Sequence, residues 1–86
     1  MRYLASYQPY YFYNDIGVTI MYQRIRDLRE DSDLTQTQMA EILNCSQRVY
    51  SNYERGERDI PTEILIALAK FHHTSTDYIL GLTNKK

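Results

Sequence analysis

The sequence predicts an all-α domain built around a helix-turn-helix, preceded by a segment of different character. Apolar residues recur at spacings of three and four from Met21 to Leu82, which is the helical period. Residues with capping chemistry, Thr35, Ser46 and Ser75, stand just ahead of apolar series. Asn44 ends one helix and Ser46 opens the next, so their connection is a turn of roughly three to four residues, the join that defines a helix-turn-helix.

The elements follow in order. Thr19 is an acceptable N-cap for a first helix carrying Met21, Ile25 and Leu28, and Asp31 to Asp33 break it. Leu34 is expected to be buried, and Thr35 with Gln38 makes a T-x-x-Q capping box for a short helix with Met39, Ala40 and Leu43. Asn44 suits a helix end that needs positive φ. Ser46 caps the third helix and Gly56 stops it. "ERDIP" is a polar loop whose Pro61 bars continuation, and Thr62 opens a fourth helix. Its Ile64, Leu65, Ile66, Leu68, Ala69 and Phe71 leave few polar sides, which places it centrally. Ser75 caps a last short helix, and Tyr78, Ile79 and Leu82 should close the core.

The chain divides into a tyrosine-rich leader (1–18), the helix-turn-helix domain (19–83) and a polar tail (84–86). In the leader, Tyr3, Tyr7, Tyr10, Tyr11, Phe12 and Tyr13 follow no core pattern, and Pro9 interrupts any helix. Tyrosines of this kind suit interfaces. Met21 heads "MYQRIRDLRED", and Gly17-Val18 are compatible with codons for a purine-rich ribosome-binding sequence, so translation from Met21 is one expectation.

With 86 residues the chain is a single domain whose apolar content is needed for packing, leaving little for a deep pocket. No apolar run approaches the roughly 18 residues of a membrane span, and the start lacks a secretory signal, so the expected location is cytoplasmic. The one cysteine, Cys45, excludes an intramolecular disulfide and reads as a small buried hydrophobe. A net charge of −1 runs mildly against nucleic-acid binding. Its distribution matters more: Asp27, Glu30, Asp31 and Asp33 cluster early, whereas Arg48, Arg55 and Arg58 surround the third helix, where a locally positive face can form.

That helix holds the candidate chemistry. Gln47, Arg48, Ser51 and Asn52 share a polar face, while Val49, Tyr50 and Tyr53 can turn toward the domain. Glutamine and asparagine pair bidentately with adenine edges and arginine with guanine O6 and N7, each good pair contributing roughly 1–3 kcal/mol of discrimination. The rival reading of the same face is a solvated surface.

The stretch "IRDLRE…LTQTQMAEILNCSQRVYSNYERGERDIP" and the closing "TSTDYILGLT" resemble the phage-repressor-like, Xre/Cro-type helix-turn-helix family, from about Thr19 to Thr83. The resemblance implies a compact five-helix, lambda-repressor-like fold whose third helix enters the major groove of double-stranded DNA, usually as a homodimer on half-sites about one helical turn apart. It puts Gln47, Arg48 and Asn52, with Ser51 between them, at base-contact positions. Gln36, Ser46, Arg58 and, more weakly, Arg55 fall to phosphate contacts. Arg29 and Glu54 match a structural ion pair between the first and third helices. The function implied is a DNA-binding transcriptional regulator of repressor type, from a bacterium or phage. A protein-interaction module, antitoxin or antirepressor-like, is the alternative on the same fold.

Tyr50 departs from the pattern, standing where a smaller aliphatic residue is usual. Either the core opens there or the hydroxyl reaches solvent or phosphate. His72 and His73 are adjacent and share no helix face, so a helix-end dipole interaction is expected rather than a metal site. No nucleophile elbow or phosphate loop is present among three glycines, and no enzyme activity, cofactor, metal or small-molecule ligand is expected.

Overall fold

The structure, a computed structural model, describes the backbone of residues 11–14, 17–20 and 22–86, and side chains from Tyr22 onward. Strands β1 (Tyr11–Asn14) and β2 (Gly17–Ile20) pair antiparallel, Tyr11 opposite Ile20 and Asn14 opposite Gly17. Five helices follow: α1 (Gln23–Asp31), α2 (Gln36–Leu43), α3 (Gln47–Glu54), α4 (Thr62–Phe71) and α5 (Thr76–Ile79). Tyr3, Tyr7, Tyr10 and the expected start at Met21 lie outside the described residues.

The first helix begins later than its apolar spacing predicted. Thr19 lies in β2, and α1 starts at Gln23 behind Tyr22, which makes no side-chain capping bond. The starts of α2, α3 and α5 are held locally, as expected, whereas α4 follows Pro61 without a side-chain capping bond. Thr35 Oγ1 accepts from the Gln38 amide at 3.1 Å while the Thr35 amide donates to Gln38 Oε1 at 2.8 Å. Ser46 Oγ accepts from the Val49 amide and Ser75 Oγ from the Tyr78 amide. Such caps contribute about 1 kcal/mol each. Between α2 and α3, Asn44 takes the left-handed conformation at φ 61°, where an asparagine is tolerated, and the Cys45 amide closes on the Ala40 carbonyl at 2.9 Å.

The core joins Tyr22, Ile25 and Leu28 with Met39, Ala40 and Leu43, Tyr50 and Tyr53, Leu68 and Ala69, and Ile79. Leu34 and Cys45 pack at its margin, half-buried rather than buried. Two expectations about the C-terminal half need correction. Within α4 only Leu68 and Ala69 are buried and Ile66 and Phe71 are exposed, because this helix packs against α2 and α5 and leaves its far side open. Leu82 is 60% exposed and closes nothing.

The residues around Leu82 are held instead by polar bonds from Arg24. Its Nη1 donates to the carbonyls of Tyr78 and Thr83 at 2.7 and 2.5 Å, and its Nη2 to Asn84 Oδ1 at 2.7 Å. The guanidinium also stacks 4.2 Å from the Tyr78 ring centre, so one side chain fastens the last residues to α1. His72 follows α4, but burial lowers its pKa and its Nε2 has no partner. The protonated form that a helix dipole would favour is therefore disfavoured here.

Candidate nucleic-acid interface

The turn at Asn44 and the cap at Ser46 set α3 so that opposite sides meet different surroundings. Tyr50 and Tyr53 enter the core, their rings edge to face with centres 6.4 Å apart. Gln47 and Arg48 are exposed, and Asn52 is half-exposed. The α3 helix ends at Gly56, whose φ of 73° lets the Glu57 amide reach back to the Asn52 carbonyl at 2.9 Å.

A continuous chain of hydrogen bonds runs from the core to this edge. Arg29 donates through Nε to Glu54 Oε2 at 2.6 Å and through Nη2 to Oε1 at 3.1 Å, a bidentate pair joining α1 to α3. A third donation, from Nη1 to the Leu34 carbonyl at 2.8 Å, ties in the loop before α2. Gln36 Nε2 then donates to Glu54 Oε1 at 3.0 Å. With its nitrogen so engaged, Gln36 presents its oxygen outward, and Gln47 Nε2 donates to it at 2.8 Å. The carboxylate thus sets the amide of Gln36, and Gln36 sets the amide of Gln47. One N–H and the whole Oε1 of Gln47 stay open, which is the pattern that complements adenine N7 and N6.

The expected pairing of Arg29 with Glu54 is therefore present, with side chains 12% and 4% exposed. Burial alone would push the Glu54 carboxyl up, but hydrogen bonds from Arg29 and Gln36 and the Arg29 charge outweigh it and hold the group below its ordinary value. The hydrogen bond to Glu54 likewise raises Arg29, against the effect of burial. Tyr50 is wholly buried, so its ring belongs to the core and its hydroxyl reaches neither solvent nor DNA. That hydroxyl sits close enough to Glu54 for burial and the carboxylate to push its pKa far up, yet it falls short of hydrogen-bond geometry with any partner. It is an electrostatic neighbour of the pair.

Ser51 does not share the open edge. It is 7% exposed, and its hydroxyl accepts from Arg55 Nη1 at 2.6 Å, because the residue one turn later folds back over it. Arg55 is itself engaged: Nη2 donates to Asn52 Oδ1 at 2.6 Å and to Glu57 Oε1 at 3.1 Å. Arg48 and Arg58 are exposed, with no ion pair among the described residues. Ser46 is exposed too, its oxygen used by the cap and its hydroxyl proton available. An open polar cleft of 320 Å³ lies against this edge, lined by Gln23, Arg26, Arg29, Gln36, Ser51, Glu54 and Arg55. Arg55 and Asn52 form a contact the sequence reading missed, although their i, i+3 spacing was a signal for it.

Residues 25–79 match the helix-turn-helix family. The chain is 41% identical over 59 residues to the HTH-type transcriptional regulator ImmR of Bacillus subtilis, covering 69% of this chain and 46% of that protein. It is 34% identical over 70 residues to the control protein C.SmaI of Serratia marcescens, covering 78% and 83%. The fold is similar to that of the P22 c2 repressor protein in complex with synthetic operator 9T, with a TM-score of 0.65, 33% identity, and 70% and 91% of the two chains covered. The chain spans about half the length of the Bacillus subtilis relatives YobD and ImmR.

Proposed function

The chain belongs to the helix-turn-helix family, in its phage-repressor-like Xre form, and on that premise we propose that it is a sequence-specific DNA-binding transcriptional regulator of repressor type. In this reading α3 enters the major groove, with Gln47, Arg48 and Asn52 facing base edges. Gln36 and Ser46, near the starts of α2 and α3, and Arg58 in the loop after α3 hold backbone phosphates, which fixes register without carrying sequence information. Two copies would bind as a homodimer on half-sites about one helical turn apart. A cytoplasmic location accords with this, and among the described residues no helix is long and apolar enough to cross a membrane.

The observation that carries the proposal is the chain of bonds from Arg29 through Glu54 and Gln36 to Gln47. A solvated face needs no such orientation of an exposed amide, whereas base readout does. The test is selection of bound duplexes from a random pool at fixed salt, with the wild type and a Gln47→Ala, Arg48→Ala, Asn52→Ala triple variant. The wild type should enrich one motif. The triple variant should lose it while melting at an unchanged temperature, and a variant that kept the motif would remove α3 from the reading role.

A further inference from the structure

We propose that Arg55 is a specificity-determining residue, acting through Asn52 by holding a cationic donor against the amide oxygen with which Asn52 would recognise adenine. The inference deepens the DNA-binding reading and rests on it.

Bidentate pairing with adenine uses both halves of the amide: the oxygen accepts from N6 and the nitrogen donates to N7. In α3 the Asn52 oxygen faces Arg55 Nη2 at 2.6 Å. A guanidinium has donors and no acceptors, so the amide atom beside it must be the oxygen, and the orientation follows from chemistry alone. What Asn52 offers outward unshared is then its NH₂ group, while the second lone pair of its oxygen lies beside a cation that repels the donor hydrogen of adenine N6.

Arg55 is held in that position from two other sides. Its Nη1 donates to the hydroxyl of Ser51, which is 7% exposed, and its Nη2 also reaches Glu57 Oε1 at 3.1 Å. Ser51 one turn back and Glu57 beyond Gly56 thereby aim the guanidinium at Asn52. Such a site suits an edge that carries acceptors, and guanine with N7 and O6 presents two. Gln47 differs, since the bond to Gln36 consumes one of its N–H groups and leaves its oxygen open. Two amides on one helix therefore address different bases: Gln47 retains the adenine pattern and Asn52 is turned against it.

The test compares base preferences selected by the full chain, by Asn52→Ala and by Arg55→Ala from the same random duplex pool at one salt concentration, with thermal melts of each. Asn52→Ala identifies the base pair that Asn52 contacts, as the position whose preference disappears. At that position the wild type should disfavour adenine, and Arg55→Ala should raise adenine relative to guanine by on the order of tenfold, the effect of one bidentate pair. Ser51→Ala should move the preference the same way by less.

An Arg55→Ala variant that binds every sequence more weakly with an unchanged base profile would overturn the proposal, leaving Arg55 as a phosphate contact and the DNA reading intact. A wild type that already prefers adenine there, or an Asn52→Ala variant with an unaltered profile, would also overturn it. If the wild type enriches no motif at all, the DNA reading fails, and this inference with it.

Discussion

Replacing Glu54 with alanine should destabilise the domain severely. The substitution removes a carboxylate that is 4% exposed and leaves the Arg29 guanidinium, 12% exposed, with its Leu34 carbonyl as its strongest remaining partner. Breaking a buried ion pair by deleting one member costs about 3–5 kcal/mol. The Leu34 bond and the partial exposure of Arg29 favour the low end, about 3 kcal/mol. In a domain of this size each kcal/mol moves the melting temperature by about 4–8 °C, so a fall of roughly 12 °C or more is expected. Circular dichroism melts of the wild type, Glu54→Ala and Glu54→Gln measure it. Glutamine keeps an oxygen for Arg29 and Gln36 but no charge, and it should fall between the other two. A Glu54→Ala variant melting within about 2 °C of wild type would refute the argument, since it would mean that the pair lies in a region as forgiving as solvent.

Acid should act through the same group. The Glu54 carboxyl is held below its ordinary value in the folded state, so its contribution is complete above the unfolded value of about 4.3 and is lost as pH falls through the folded one. Melts taken from about pH 7 down to about pH 3 should show a steeper acid decline for wild type than for Glu54→Gln, and parallel curves would contradict this assignment. Tyr50→Phe removes a buried hydroxyl without a hydrogen-bond partner and should leave the melting temperature unchanged or raise it by a few degrees. A clear drop in that variant would mean that the hydroxyl donates to Glu54.

Much of this arrangement was readable because it depends on neighbours in sequence. The Thr35 and Gln38 capping box, the Ser46 cap and the left-handed Asn44 are each specified within a few residues, and they place α2 and α3. The pair of Arg29 with Glu54 spans 25 positions and was accessible only through the family resemblance. The Arg24 fastening spans up to 60 positions and has no local pattern, so only the packed fold reveals it. Ser51 was misplaced because polarity suggested an outward side chain, whereas the arginine one turn later supplies it with a buried partner. The late start of α1 shows the converse error, since Thr19 has capping chemistry but lies in a paired strand.

The bond between Gln36 and Gln47 also bears on the entropy of association. A free glutamine on a surface samples many rotamers, and freezing it costs up to about 2 kcal/mol. Here part of that loss is taken when the domain folds, because Gln36 already holds the Gln47 amide in place at 2.8 Å. Less disorder then remains to be removed when a binding partner arrives. Recognition at Gln47 is thus coupled, through Gln36, to the buried Glu54, and a fault there would be felt as weaker binding before any residue at the surface had been replaced.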